Sequence, residues 1–351
     1  MTAIIPKIRV VNEKTQLINN PGNAGKVAVI GAFDTTETNP KLFTSVKAAQ
    51  ITFGTDSTYN GCAVIEDLFI GAESLLCVNI TTETSATPPV REKELTTAKL
   101  TAALAKIKGE DFDILFVAAT LTDTMLPIIT AFLDECYEMK FPAGFVGCLN
   151  GSSTAANVTS AGLAGEHCYG LITQRFNVAG TLLSLLNSAA YYAGLIAGMS
   201  VGNTMTMKQV KGVNLVNPEY SFETGGDGKT LLEAGITTFK VQRRSSERVI
   251  VVNSEQPNGL DLYINRVRDY VVKELALHDF LGDRNNDVTL SEIKQEVDRV
   301  RDECVNVLGL LEDITYTVAK ENPQCVGITI DSLTFAGIIT QINVYVRVEV
   351  E

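Results

Sequence analysis

The segment Gly225-Gly226-Asp227-Gly228-Lys229-Thr230 ends in the Gly-Lys-Thr of a phosphate-cradling loop. That motif needs an upstream glycine where this chain has Glu223, and a carboxylate is a poor lining for backbone that must hold phosphate. Tyr220-Ser221-Phe222 is no buried strand feeding such a loop, which leaves a Gly-rich turn ahead of a helix at Leu231 to Ala234. Gly22-x-x-Gly25 has neither the spacing nor the sequel of a dinucleotide site. Nucleophilic catalysis needs a base, and the histidines are His167 and His278. His167 adjoins Cys168, but neighbours on a strand point to opposite faces. His278 follows Glu274 by one helical turn and reads as a helix C-terminal cap. Gly198-Met199-Ser200 lacks the glycine pattern of a nucleophile elbow. Asp283, Asn285, Asn286 and Asp287 lack the terminal glutamate of a calcium loop and serve better as a link between helices. Asp111 and Asp113 are a possible acid/base pair without a supporting third group, and otherwise loop polarity before a strand. The expectation is therefore no catalytic, cofactor-binding or metal-binding residue.

The elements that would position such groups alternate. Apolar runs at Lys26 to Phe33, Ser74 to Ile80, Asp113 to Ala118, Ala143 to Leu149 and Tyr169 to Thr173 read as strands. Helical patterns at Gly61 to Ile70, Glu94 to Lys108, Thr122 to Met139 and Thr154 to Gly165 separate them. That order predicts an α/β layered domain with a largely parallel sheet. Leu182 to Met199 is apolar but interrupted by Ser184, Asn187 and Ser188, which suits an interior helix rather than a membrane span. Strands at Thr237 to Val241 and Arg248 to Val252 precede two helices with stripes Leu260, Ile264, Val267, Val271, Leu275 and Ile293, Val297, Val300, Cys304, Leu308. Thr289 with Glu292 predicts a capping box for the second. Strand-like segments at Ile314 to Val318, Cys325 to Ile330 and Ile338 to Val350 complete a C-terminal α+β part.

Both ends are extended. In Gln341 to Glu351, Ile342, Val344, Val346, Val348 and Val350 line one face and polar residues the other; near the start, Ile4, Ile8 and Val10 lie in a similar run. These strands either tuck into the chain's own sheet or add to a neighbour's. The net charge of −12 argues against broad nucleic-acid binding. Lys240 to Arg248 is the clearest basic island and suits an acidic protein surface. Seven scattered cysteines without a Cys-x-x-Cys pair predict buried free thiols. The start MTAIIPKIRV has no secretion-signal pattern, so assembly in a cytoplasm is expected.

The order of segments resembles the tail sheath proteins of contractile phages and phage-tail-like bacteriocins. The pieces are Val27-Ala28-Val29-Ile30-Gly31, Ser45 to Gly54, Gly71-Ala72 before the Cys77 strand, Tyr191 to Gly198 before Lys211-Gly212-Val213, Leu232 to Ile236, Asn265-Arg266-Val267-Arg268-Asp269-Tyr270, and Phe280-Leu281-Gly282. The resemblance implies a central domain of subtilisin-like topology without protease activity, and a C-terminal α+β domain with extended β arms at both ends. It implies a linking arm over 1–20, an N-terminal part of the α/β region over 21–92, an outward-facing central domain over 93–247, a tube-facing domain over 248–340 and a linking strand over 341–351. Copies would stack as hexameric rings around an inner tube protein, with baseplate and tail terminator proteins as further partners, and contract to drive the tube through an envelope. Arg266, Arg268, Asp269 and Lys273, with charges over Asp283 to Arg301, either face the tube or form solvated helix faces. The particle would be a phage tail or a released tail-like particle built in a host bacterial cytoplasm, with no nucleic-acid partner and no membrane insertion. The alternatives are a non-contractile shell or adaptor protein, and an α/β hydrolase-like enzyme.

Overall fold

The computed structural model describes residues 25–335 and 337, apart from 85–89, 244–246, 277–279, 281–282, 284 and 323–324. Ile4, Ile8, Val10, His278 and the strand residues Ile342, Val344, Val346, Val348 and Val350 lie outside the described residues.

Apolar runs with no polar alternation can sit only where both sheet faces are covered. Strands β1 (Lys26–Gly31), β2 (Lys41–Phe43) and β3 (Ser74–Asn79) come first, then an exposed hairpin of β4 (Thr82–Glu83) and β5 (Arg91–Glu92). The strands β6 (Ile114–Leu121), β7 (Gly144–Leu149) and β8 (Cys168–Ile172) follow. The sheet order is β2-β3-β1-β6-β7-β8, parallel throughout except for the antiparallel edge strand β2. β7 is buried at every position. The parallel strands thus reverse their winding between β1 and β6, as in doubly wound sheets.

Helices α1 (Val46–Phe53), α2 (Asn60–Leu68), α3 (Thr97–Ile107), α4 (Leu126–Glu138) and α5 (Thr154–Ala161) make the connections. The hydroxyls of Ser45, Thr96 and Ser153 cap α1, α3 and α5 by accepting the amides of Ala48, Lys99 and Ala156. Beyond β8 come β9 (Arg175–Val178), β10 (Thr181–Leu182), α6 (Leu185–Ala197), β11 (Val213–Asn217), α7 (Asp227–Glu233), β12 (Thr238–Arg243) and β13 (Glu247–Asn253). The helix expected at Leu231 to Ala234 begins earlier, at Asp227, directly after the Gly226 turn. A parallel bridge from Ile172 to Thr237 covers the β8 edge. The first core extends through Val249 and Val251 to Leu262, so the division expected at 247/248 runs through the β12–β13 hairpin.

A second core takes Val201 from the loop after α6 and Tyr263, Val267, Val271, Val300, Cys304 and Leu310 from α8 (Leu262–Glu274) onward. It uses α9 (Asp287–Asp302), a π turn over Glu303–Val307, and the antiparallel pair β14 (Asp313–Asn322) and β15 (Cys325–Thr334). The expected capping box at Thr289 is displaced: Asn286 caps α9, its side chain accepting the amides of Val288 and Thr289, because an asparagine nearer the turn reaches the free amides first. Six cysteines are buried, Cys325 is half-buried, and all are free thiols, as expected.

Candidate functional site

Helix α8 lies between the two cores and is buried on almost every side, including at Asn265, Arg266 and Asp269. Its start is set by Asp261. One carboxylate oxygen accepts the Tyr263 amide at 3.0 Å, and the other accepts the hydroxyls of Thr206 at 2.8 Å and Ser254 at 2.7 Å. Buried polar groups are tolerable only when satisfied, and this carboxylate is satisfied by hydroxyls from two preceding loops.

Arg266, 2% exposed, donates to the carbonyl oxygens of Met199 at 2.8 Å and Ser200 at 3.2 Å. These follow the C-terminus of α6, where unpaired carbonyls favour a cation. Burial lowers the Arg266 pKa, and the nearby Tyr169 and Asp113 oppose that effect. Asp269, 3% exposed, accepts the Tyr169 hydroxyl at 2.7 Å and the Arg268 Nε at 3.1 Å. Lys273 reaches the first core, donating to Asp111 at 3.0 Å, Asp113 at 2.8 Å and the Phe112 carbonyl at 3.2 Å. Burial works against this ammonium, yet the two aspartates hold its pKa above the ordinary lysine value. Lys26 pairs with the other oxygen of Asp111. A cavity of about 210 Å³ remains between these groups, lined among others by Lys26, Asp113, Tyr169, Arg266 and Lys273.

The four charges read as either tube-facing or solvated are brought together on α8, with Arg266 and Asp269 buried and Arg268 and Lys273 partly exposed. Arg266 and Asp269 are spent on contacts within the chain, and Lys273 is held by two aspartates; Arg268 keeps a partly open edge beside Glu166. Asp111 and Asp113 are not plain loop polarity: both hold Lys273 and so tie α8 to the first core. Sequence reasoning missed this seam because both readings of these charges, facing a tube or facing solvent, placed them on an outer surface. The available signal was the spacing of Asn265, Asp269 and Lys273 by one turn each, a polar stripe beside the apolar one.

His167 is 4% exposed, with Nε2 3.5 Å from Asp134 and Nδ1 3.4 Å from Arg268, and burial holds its pKa below the ordinary value. Burial pushes the Cys168 thiol up to about 12, far from a nucleophilic thiolate. A wider cleft of about 610 Å³ opens at the carboxyl ends of β6 and β7, where doubly wound sheets hold ligands. Its Ser160 hydroxyl donates to Asp123 at 2.5 Å and to the Ala156 carbonyl at 3.1 Å, and no histidine or lysine is among the residues lining the cleft. Among the described residues no group of three or more His, Cys, Asp or Glu could hold a metal ion, and no helix is long and apolar enough to cross a membrane.

Residues 93–253 match the family described as phage tail sheath protein central domain. The whole fold is similar to solved structures. One is a sheath tail protein from Desulfitobacterium hafniense, at 14% identity and TM-score 0.68 over 89% of this chain and 95% of that one. Another is a sheath tail protein from Listeria innocua, at 13% identity and TM-score 0.60 over 91% and 97%. A third is the helical sheath of the anti-feeding prophage in its contracted state, at 14% identity and TM-score 0.68 over 93% of each chain. A search of curated protein sequences finds no match.

Proposed function

We propose, on the premise that residues 93–253 belong to the phage tail sheath protein central-domain family, that this chain is a subunit of a contractile tail sheath. That family match carries the reading, supported by the likeness over 93% of the chain to a sheath in its contracted state. The subunit stacks in hexameric rings around an inner tube and works mechanically, without enzymatic turnover, cofactor or metal. Its central layer is the subtilisin-like domain the resemblance implies, facing outward, and the part from α8 onward lies toward the tube.

The linking arms are 1–20, with Ile4, Ile8 and Val10, and 341–351, with Ile342, Val344, Val346, Val348 and Val350. Their docking place is the β14–β15 pair, whose strands bond only to each other among the described residues. A two-stranded ribbon is marginal alone and is stabilised by further strands. The locked seam at α8 supports movement of the two cores as one body, with the arms as hinges between copies. Tube contact falls to exposed α9 charges such as Glu292 and Lys294, since Arg266 and Asp269 are committed inside. Baseplate and terminator proteins complete the particle, a phage tail or released tail-like particle assembled in the host cytoplasm.

The contracted lattice is expected to bury more interdomain surface, and this difference drives firing. Cryo-electron microscopy and calorimetry of intact particles before and after triggering test it. Two lattices, the shorter one melting at the higher temperature, are expected. A single lattice under both conditions would identify a non-contractile shell instead.

A further inference from the structure

The outer face of β12 and β13 is basic in a chain of net charge −12. Lys240 stands opposite Ile250, which bridges to Gln209, and the neighbouring Lys208 carbonyl accepts the Val251 amide at 3.0 Å. Arg248 stands opposite Gln242 and donates to its side chain at 3.0 Å. Phe239, Val241, Val249 and Val251 fill the first core from the other side of these strands. Lys240 and Arg248 share the face of Ile250 and are exposed, Lys208 is exposed at the edge of these strands next to the bridging Gln209, and none of the three forms an ion pair with a carboxylate among the described residues. The nearby acids Glu219 and Glu247 are both engaged by Arg243. Met207, next to Lys208 in the chain, is 52% exposed with φ 60°, a backbone conformation side chains rarely adopt, so the fold holds an apolar residue outward at this edge.

A second face of the same chain has the opposite character. On α4, Asp134 and Glu138 stand one turn apart, both exposed, a like-charge spacing that is unfavourable in an isolated helix. Glu166, also exposed, adds a third carboxylate nearby: it lies 3.9 Å from Arg268, which neighbours the same His167 that Asp134 approaches. The remaining acid of that turn, Glu135, is neutralised by Lys108.

We propose that the basic β12–β13 face of one copy docks on the acidic Asp134–Glu138–Glu166 face of a second copy. The contact joins two different surfaces, so it is heterologous and repeats head to tail, the geometry that generates rings and helical lattices. It rests on the sheath reading and names a surface for contact between subunits that is separate from the strand arms. Charge complementarity of this kind fixes register and excludes wrong partners.

The test is a charge swap in the full-length protein. K208E/K240E and D134K/E138K are each expected to lower the assembled fraction about tenfold at fixed ionic strength, read by sedimentation and electron microscopy, as lost complementarity across an interface implies. Combining all four substitutions is expected to restore assembly, and wild-type assembly is expected to weaken as salt rises. Thermal melting checks that each variant folds; the neutral pair K208Q/K240Q, expected to flatten the salt dependence, stands in for any that does not. Either double variant assembling like the wild type, or the combination failing to recover, would overturn the contact. So would unchanged assembly of K208E/K240E with lost retention on heparin, which would assign the face to another polyanion. Wild-type protein that never assembles removes the sheath reading along with this contact, whereas intact wild-type assembly with indifferent variants removes this contact alone.

Discussion

Asp67 carries a clear pH dependence at the contact of α2 with α6. It accepts the Asn187 amide at 2.7 Å, and burial pushes its carboxyl up from 3.8 to about 6. The folded pKa exceeds the unfolded one, so the folded chain holds this proton more tightly. Its contribution is fully present below 3.8 and is lost as pH rises through about 6. Asp67→Asn should therefore raise stability at pH 7 by about 1 kcal/mol, less than the full shift implies because the group is partly exposed to screening water. Urea unfolding of both proteins at pH 4 and pH 7 checks this; a variant less stable at pH 7 would contradict it. Asp269 is the opposite case. Asp269→Ala leaves the buried Tyr169 hydroxyl without its acceptor and takes from the Arg268 Nε its carboxylate partner, and should cost about 3 kcal/mol by denaturant unfolding. At this scale the sequence was least legible. Absence of a catalytic set could be argued from the residues, but an Arg-Val-Arg-Asp run looks solvated until both sides of its helix are known to be covered.

Elements were read more fully. Strands β1, β6, β7 and β8 announce themselves as apolar runs, because a strand covered on both faces has no reason to alternate. The stripe Leu126, Ile129, Leu133 and Cys136 on α4 is buried as its spacing predicts. The capping of α9 was not legible, since Asn286 and Thr289 are both good caps and only the path of the preceding turn chooses between them. Close approach of α2 and α6 was hidden too. A Cβ on Gly71 would lie 2.3 Å from the Gly194 carbonyl oxygen, and one on Gly194 would lie 2.6 Å from the carbonyls of Asp67 and Leu68. These are backbone atoms that cannot swing aside. Gly71→Ala should lower stability by about 2 kcal/mol and increase hydrogen exchange in α6. Native-like melting would show that the helices are not so tightly held.

At the scale of the whole molecule, the succession of strands and helices pointed to a layered α/β core and a separate C-terminal core. The residues joining them stayed hidden, because the seam depends on contacts such as Lys273 to Asp113 that sequence separation conceals. The same segments in order carried the sheath resemblance, although none is specific alone. The central claim, proposed above, is that copies join through segments 1–20 and 341–351. Negative-stain electron microscopy of the full-length protein beside a version lacking 341–351 tests it most directly. The account predicts stacked rings or helical tubes from the intact chain and dispersed particles from the truncated one. Tubes formed equally well by both, or dispersed particles from both, would contradict it.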